Sequence, residues 1–276
     1  MAGVRNPKKT RIAELTAASR KYTPGITIRV EAKRPKNPPP QTRIGVFGVP
    51  GVGKSALINS LLYVTNKEDM WNHIAPEGYV DKVTCTMTRD SYDLTDHLAV
   101  CDNRGMQDYS KTYMGEVKYQ LGGARRDGEE VVWDKNAIQK LDAFFKSMQM
   151  SKSTSKQLEI HCAVIVISGE SLPARAADLA DLVNTIKDKT GEHPIFVITH
   201  KTTLSVKDVT NFKSVLPRLG VRFVFEIENY TREDHAYDEE KHMELLEVLN
   251  QCTIVADKAL KSAENQESGE SACILL

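Results

Sequence analysis

The sequence lacks several features that would have placed it in a particular class. No apolar run comes close to the roughly 18 residues that a membrane-spanning helix needs, so we expect no transmembrane segment. The five cysteines are widely spaced without any Cys-x-x-Cys pair, which argues against a zinc site or a disulfide framework and favours reduced cytosolic thiols. The N-terminus has no apolar secretory segment, and its first glycine is the third residue, so we expect neither secretion nor N-myristoylation.

An excess of one charge sign is also missing, because 37 Lys and Arg are balanced by 37 Asp and Glu. The balance hides an asymmetry: residues 1–43 contain eleven basic and two acidic side chains, which leaves 26 basic and 35 acidic ones for the remainder. Such a basic arm is more often a solvated leader than a nucleic-acid site, and only Tyr22 offers a ring for base stacking. We therefore expect no nucleic-acid partner.

Glycine is sparse, with 16 residues, yet three glycines fall in the stretch Gly48-Val49-Pro50-Gly51-Val52-Gly53-Lys54-Ser55. The stretch follows an apolar run at 43–47 and leads into an apolar-periodic segment at 56–63. A strand, a glycine loop and a helix form the context in which G-x-x-x-x-G-K-[ST] binds phosphate. The alternative is an ordinary glycine-rich turn, which the Lys and Ser at this spacing argue against.

The chemistry of phosphate binding requires each part of this loop. The glycines let backbone N–H groups approach an anion, and the start of the following helix adds partial positive charge. Lys54 can reach the β- and γ-phosphates, and the Ser55 hydroxyl is a hard oxygen ligand for Mg²⁺. The sequence therefore predicts a nucleotide site formed by residues 48–55, with Ala56 at its edge.

Residues 1–40 are interpreted as a basic arm that ends in a proline-rich linker. Residues 1–21 are predicted to be flexible or weakly helical. Ile26, Ile28 and Val30 alternate with polar residues, which predicts a short edge strand. Prolines at 35 and 38–40 then stiffen the chain ahead of the first core strand.

Residues 41–263 alternate between predicted strands and helices and are interpreted as one domain. The predicted strands are 43–47, 83–94, 97–101, 160–167, 195–199 and 221–227, and the predicted helices are 56–63, 134–148, 174–189, 205–219 and 238–263. This order predicts a doubly wound α/β fold, with a mostly parallel sheet and one antiparallel hairpin strand. The ligand is expected at the carboxyl ends of the strands. Residues 264–276 are predicted to form a flexible tail.

Asp102 and Gly105 form a second candidate element, at the end of a predicted strand. A carboxylate that faces the P-loop from there would hold Mg²⁺ directly or through water. The Gly105 peptide N–H could contact a γ-phosphate, which is how an Asp-x-x-Gly element senses a triphosphate.

With these elements in place, the chain resembles GTPase-type P-loop domains, and more narrowly the interferon-induced, forty-four-kilodalton-type P-loop proteins among the immunity-associated GTPases. The resemblance spans roughly residues 41–263. The segments that carry it are Gly48–Ser55 with Ala-Leu-Ile-Asn-Ser behind it, Thr88-Arg89-Asp90, Cys101-Asp102, Ile160-His161-Cys162-Ala163-Val164, Ile198-Thr199-His200 and Glu228-Asn229-Tyr230.

The resemblance implies a site for GTP or GDP with Mg²⁺. It places a base-side element at Thr199, His200 and Lys201, and a further one at Asn229 and Tyr230. For the loop threonine that would complete the Mg²⁺ site with Ser55 and Asp102, Thr84 is the first candidate, and Thr86 and Thr88 are its competitors.

Two departures separate the chain from guanine-specific relatives. Those proteins carry N-K-x-D, whose Asp accepts two hydrogen bonds from guanine, whereas the run here is Thr199-His200-Lys201-Thr202-Thr203. A Thr hydroxyl cannot supply a bidentate acceptor, although Lys201 could still pack its stem along a purine ring. Met106 stands where efficient hydrolases place a water-orienting Gln, and Gln107 comes one residue late. Lys54 and Gln107 are the candidate catalytic residues.

The last four residues, Cys273-Ile274-Leu275-Leu276, match a C-a-a-X box of the geranylgeranyl form. The alternative is a chance apolar tail. One prenyl chain gives limited membrane residence, and the basic N-terminal arm is the candidate second signal. The expected location is therefore cytoplasmic, at the cytosolic face of a membrane.

Three functions are compatible with these sequence motifs. The first is a prenylated GTPase of low intrinsic rate, and the second is a nucleotide-gated scaffold that does not hydrolyse at a useful rate. The third, a small-molecule kinase, is disfavoured by the Asp102-x-x-Gly105 element. Self-association is compatible with either of the first two.

Overall fold

The structure is a computed structural model that describes residues 6–28, 35–66, 74–75, 79–80, 83–84, 88–131, 133, 156–172, 176–203 and 205–273. The predicted helix at 134–148 lies outside these residues, as do Val30 and Thr86. The helices are α1 (Pro7–Lys21), α2 (Lys54–Thr65), α3 (Met114–Leu121), α4 (Ala180–Thr190), α5 (Val206–Val215) and α6 (Glu239–Cys273). The strands are β1 (Thr42–Phe47), β2 (Tyr79–Val80), β3 (Val83–Thr84), β4 (Asp90–Thr95), β5 (Leu98–Asp102), β6 (Cys162–Ser168), β7 (Ile195–Thr199) and β8 (Val224–Glu226).

One six-stranded sheet carries the fold, in the order β4-β5-β1-β6-β7-β8. All neighbouring pairs are parallel except the β4–β5 hairpin, which is antiparallel. The fold class and the antiparallel hairpin strand are therefore confirmed. The first hairpin strand was predicted to begin at residue 83, but it begins at Asp90. Residues 83–84 instead form β3, which pairs with β2 in a separate two-stranded sheet. The parallel strands bring their carboxyl ends to one edge, where the P-loop lies.

Helices cover both faces of the sheet, as a doubly wound fold requires. Alternate residues of β6 divide between the two cores: Cys162, Val164 and Val166 pack with α2 and α6, whereas Ala163, Ile165 and Ile167 pack with α3, α4 and α5. The continuous apolar run of this strand follows from burial on both faces.

The N-terminal region differs from the sequence-based expectation. Residues 7–21 form a regular helix, which begins after Asn6, whose side chain accepts a hydrogen bond from the Lys8 N–H. The edge strand predicted around Ile26 and Ile28 is wrong, because residues 24–28 form turns. α1 packs against α6 and places Leu15 in the main core. The segment before residue 40 is therefore joined to the domain, although the division of the chain into domains stays a prediction.

The last helix is longer than predicted. α6 spans 35 residues and continues through the segment that we expected to be a flexible tail, as far as Cys273. Among the described residues, no helix combines the length and the apolarity that crossing a membrane would require.

Candidate nucleotide site

The P-loop joins β1 to α2 and has the backbone geometry that its glycines permit. Gly48, Gly51 and Gly53 have φ angles of 152°, 79° and 86°, values that side-chain-bearing residues rarely adopt. A Cβ atom at Gly48 would lie 2.5 Å from the Val166 carbonyl oxygen, so only glycine fits there. Gly53 is the N-cap residue of α2, and the helix therefore starts directly at Lys54. The loop thus directs a helix N-terminus at the space it encloses, which favours an anion there.

Lys54 is more buried than a solvent-facing loop lysine, with 7% of its surface exposed. Its ammonium group donates a hydrogen bond to the Val49 carbonyl oxygen at 3.0 Å. Burial lowers the pKa of Lys54 to about 8, and the nearby Asp102 carboxylate opposes that shift. A phosphate group would supply the opposite charge that this buried ammonium needs.

Ser55 and Asp102 meet across the same space. The Ser55 hydroxyl donates a hydrogen bond to Asp102 Oδ2 at 2.9 Å, and Asp102 is fully buried at the end of β5. A hydroxyl and a carboxylate are hard oxygen donors of the kind that Mg²⁺ prefers, so the residues fit that ion. Within the described residues, no group of three or more His, Cys, Asp or Glu could hold a metal. Mg²⁺ at Ser55 and Asp102 would take its other ligands from phosphate oxygens and water, as is usual for this ion.

The segment after Asp102 lies directly on the P-loop. A Cβ atom at Gly105 would lie 2.7 Å from the Pro50 nitrogen and 2.9 Å from Lys54 Nζ. The Met106 N–H donates a hydrogen bond to the Gly48 carbonyl oxygen at 3.2 Å. The structure therefore brings Asp102 and Gly105 together with the P-loop, as the position of this element at a predicted strand end led us to expect.

The residues considered for water activation lie elsewhere. The Met106 side chain is 1% exposed and packs in the core with α3, so it does not face the loop. Gln107 is exposed, and its Oε1 accepts a hydrogen bond from the Tyr113 hydroxyl at 2.7 Å. Tyr109 was missed in the sequence. Its buried hydroxyl lies beside the Val49 backbone, and burial raises the pKa of Tyr109 to about 12.

The threonines considered for Mg²⁺ are placed differently from one another. Thr84 ends strand β3, and Thr86 lies outside the described residues. The Thr88 hydroxyl donates a hydrogen bond to Asp90 Oδ2 at 2.7 Å, and Asp90 is the cross-strand partner of Asp102. The assignment of Thr84 stays a prediction.

Two loops on the other side of the P-loop hold the base-side residues. Thr199, at the end of β7, donates a hydrogen bond from its hydroxyl to the Val52 carbonyl oxygen at 2.8 Å. Asn229 follows β8 and donates from Nδ2 to the Gly53 carbonyl oxygen at 3.3 Å. The structure thus ties both loops to the phosphate loop.

His200 and Lys201 continue the loop after Thr199. His200 has a φ of 55°, and its Nδ1 lies 3.1 Å from the Ser168 hydroxyl. Lys201 forms ion pairs with Glu240 and Glu244 at the start of α6, and these partners raise its pKa. The ammonium group of Lys201 is therefore held by α6, and only its stem remains for a purine ring.

Tyr230 does not present its side chain to the site. The ring is fully buried in the core beside α2, and its hydroxyl donates a hydrogen bond to the Asp238 carbonyl oxygen at 3.0 Å. Burial raises the pKa of this hydroxyl. Sequence reasoning also missed the role of Glu228, whose carboxylate accepts two hydrogen bonds from Thr202. An acidic residue directly after a predicted parallel strand was the available signal.

Comparison with known proteins gives little beyond this geometry. No family model matches the sequence, and no curated protein matches it either. The structure is similar to that of a septin GTPase domain from Chlamydomonas reinhardtii, with 12% sequence identity and a TM-score of 0.41. The similarity covers 82% of this chain and 98% of that one. A likeness this distant has no bearing on function, and the interferon-induced family stays a resemblance.

Proposed function

We propose that the protein binds GTP and GDP with Mg²⁺ at the P-loop and acts as a slowly hydrolysing, membrane-associated switch. The observation that carries the proposal is the 2.9 Å hydrogen bond between Ser55 and Asp102, which lies next to the buried ammonium of Lys54. Three groups that suit a magnesium–phosphate complex converge there from two different segments of the chain.

Each residue has a role that its position supports. The backbone N–H groups of the glycine loop would bind the phosphates, and Lys54 would neutralise the β- and γ-phosphates. Ser55 and Asp102 would hold Mg²⁺, which supplies charge neutralisation on the phosphate oxygens when it is bound. The Gly105 peptide, which lies against Lys54, would distinguish a triphosphate from a diphosphate.

Lys54→Ala tests the phosphate site. We expect calorimetry to show loss of GTP binding, because the substitution removes the buried charge that faces the phosphates. Lys213→Ala is a matched control, since Lys213 pairs with Glu226 of the edge strand β8, which β6 and β7 separate from β1, and should leave the affinity unchanged. Equal affinities for the Lys54→Ala variant and the parent would refute the proposed function. Chromatography of nucleotide extracted from the purified protein would identify the natural ligand.

A nucleotide-gated scaffold that does not hydrolyse is the second candidate, and the burial of Met106 favours it. Met106 faces the core, so no hydrogen-bonding side chain stands at that position to orient water. We expect a single-turnover rate of about 10⁻³ s⁻¹ or less for the isolated protein, the slow end for this chemistry. A rate well above about 10⁻² s⁻¹ would show that another residue, such as Gln107, positions the water.

Membrane association through Cys273 is the remaining part of the proposal, and the C-a-a-X sequence supports it. A single prenyl chain exchanges readily between membrane and solution, so a second, electrostatic contribution from basic residues would prolong residence.

A further inference from the structure

The loop after β7 lacks a carboxylate of its own, yet the structure supplies one from the next loop. The run 199–203, which corresponds to the N-K-x-D element of guanine-specific proteins, contains no acidic residue. Both the backbone N–H and the hydroxyl of Thr202 donate hydrogen bonds to Glu228 Oε2, each at 3.1 Å. The carboxylate of Glu228 therefore lies against the run that lacks an acidic residue of its own.

Backbone contacts fix this position. The Lys201 N–H donates to the Ile227 carbonyl oxygen at 3.3 Å, and the Ile227 N–H donates to the Ile198 carbonyl oxygen at 2.9 Å. The neighbouring Asn229 reaches the P-loop through its Nδ2, as described above. Glu228 is thus held between the P-loop side and the loop of residues 199–203, next to the space that a base attached to a P-loop-bound phosphate would enter.

Two further observations indicate that a ligand belongs there. Asn229 is 7% exposed, and its Oδ1 accepts no hydrogen bond from the residues that the structure describes. Buried polar atoms rarely go without a partner, so a ligand or water is expected to complete this one. In addition, the hydrogen bonds that Glu228 accepts from the described part of the chain all go to Oε2, which leaves Oε1 available.

We propose that Glu228 is the residue that recognises guanine, an inference that rests on the proposed function and names its base. With Oε2 held by Thr202, Oε1 has two lone pairs available for the adjacent N1–H and 2-amino donors of guanine. Adenine presents an acceptor at N1 and no amino group at position 2, so it cannot make this pair. Thr202 orients the carboxylate through Oε2 and acts as a positioning residue.

The test is a change of base preference measured by competition of unlabelled triphosphates against a fluorescent GTP analogue. Glu228→Gln keeps one acceptor but places an amide donor where guanine also donates. We expect GTP affinity to fall about tenfold to a hundredfold, the usual size of a bidentate base contact. Xanthosine triphosphate carries an oxygen at position 2, which the new amide can serve, so its affinity should rise by a comparable factor.

Matched variants separate recognition from folding. Glu226→Gln makes the same chemical change two residues earlier, at a carboxylate that pairs with Lys213. It should change neither the affinity for GTP nor the affinity for xanthosine triphosphate. Thr202→Val removes the orienting hydroxyl and should lower GTP affinity by a smaller factor, without a gain for xanthosine triphosphate.

Each outcome decides a different question. If the parent binds GTP and Glu228→Gln leaves the preference between the two triphosphates unchanged, the inference is wrong and the proposed function stands. A parent protein that binds ATP as tightly as GTP also refutes the inference. If the parent binds no triphosphate, both the inference and the proposed function fail. A gain in affinity for xanthosine triphosphate cannot come from misfolding, so that result would support the inference directly.

Discussion

Buried charged residues in this chain serve two different purposes. Lys54 and Asp102 are buried beside the P-loop, where the nucleotide site is proposed. Arg89, which belongs to one of the segments that carry the family resemblance, is fully buried for another reason. Its guanidinium donates to the carbonyl oxygens of Gln120, Arg125 and Leu158 at 2.9–3.0 Å. A guanidinium that bonds to three backbone carbonyls holds these chain segments together. Arg89 therefore stabilises the fold, and we assign it no part in nucleotide binding.

His161 gives a prediction about pH at the residue scale. Burial, together with the charge of Arg43, lowers its pKa from the ordinary 6.5 to about 4, and its Nδ1 accepts a hydrogen bond from the Arg43 N–H at 3.1 Å. The folded protein therefore prefers the neutral ring, whereas the unfolded chain takes up a proton below pH 6.5. Stability that is present above pH 6.5 should be lost as the pH falls to about 4. The loss due to this group approaches about 3 kcal/mol.

Urea unfolding of the parent and of His161→Asn, at pH 7 and again near pH 4, checks this prediction. The Asn carbonyl can still accept from the Arg43 N–H, but it does not titrate. All carboxylates are common to both proteins, so their contributions cancel in the difference. The parent should lose about 3 kcal/mol more than the variant on acidification. Equal losses would mean that the ring is protonated in the folded protein without cost.

At the scale of elements, local patterns were sufficient for the sheet and insufficient for the N-terminus. The apolar runs of β6 and β7 and the glycines of the P-loop specify their structure within a few residues. The alternation of Ile26 and Ile28 predicted a strand, but these residues form turns that are fixed from a distance. The carboxylate of Asp257, in α6, accepts hydrogen bonds from the Gly25 N–H at 2.7 Å and the Thr27 N–H at 2.8 Å. No pattern confined to residues 22–28 can show that contact.

The same limit applies to the candidate site. The P-loop and the Asp102-x-x-Gly105 element were predictable, because each is a contiguous motif. The pairing of Thr202 with Glu228 was not, because the two residues are 26 positions apart and meet only because β7 and β8 are parallel neighbours. Lys201 is a further example. Its partners Glu240 and Glu244 belong to α6, and their proximity depends on how that helix packs.

Asp257→Asn tests whether the hydrogen bonds between Asp257 and the backbone of Gly25 and Thr27 hold the N-terminal segment in place. The buried Asp257 carboxylate also accepts from the hydroxyls of Tyr22 and Thr27, both at 2.6 Å, and burial together with Asp257 raises the pKa of Tyr22. The amide would present an N–H group to these donors, so we expect a loss of about 2–3 kcal/mol in the free energy of unfolding. Cleavage by protease within residues 22–40 should become faster.

Glu264→Gln is the control for that experiment. Glu264 lies on the same helix and accepts a hydrogen bond from the Lys36 N–H at 3.0 Å, but this contact is exposed. An exposed hydrogen bond competes with water, so this variant should stay within about 0.5 kcal/mol of the parent. If the two variants were equally stable, Asp257 would not be the contact that fixes the segment.

At the scale of the whole molecule, the charge asymmetry of the sequence is partly used inside the fold. Lys8, Lys9 and Arg11 of α1 lie 3.5–3.7 Å from Glu240, Glu239 and Glu247 of α6. These pairs are exposed and contribute little to stability individually. The pairs matter more for the electrostatic potential of the surface. Basic residues whose charge is balanced by acidic partners attract an anionic membrane less strongly. If the basic arm contributes to membrane binding, its contribution would therefore be weaker than its sequence suggests.

α6 connects the parts of the molecule on which the proposed function depends. Its first turns hold Lys201 through Glu240 and Glu244, its middle packs against α1, and its last residue is Cys273. A regular helix of 35 residues is about 50 Å long, so a lipid attached to Cys273 would lie far from a nucleotide at the P-loop. Membrane attachment at Cys273 is thus compatible with free access to the P-loop.

The membrane prediction follows from this arrangement and is tested by fractionation of cells that express each variant. Cys273→Ser should move the protein to the soluble fraction, because it removes the prenyl chain and its apolar burial.

Deleting residues 1–36 is not a clean test of the second signal, since it would remove Leu15 and Tyr22 from the core. Exchanging Arg29, Lys33 and Arg34 for Gln is preferable, and it should weaken membrane retention in low salt more than in high salt, because salt screens charges beyond about 8–10 Å. Retention of Cys273→Ser in the membrane pellet would exclude the lipid anchor, and a loss independent of salt in the triple variant would exclude an electrostatic second signal.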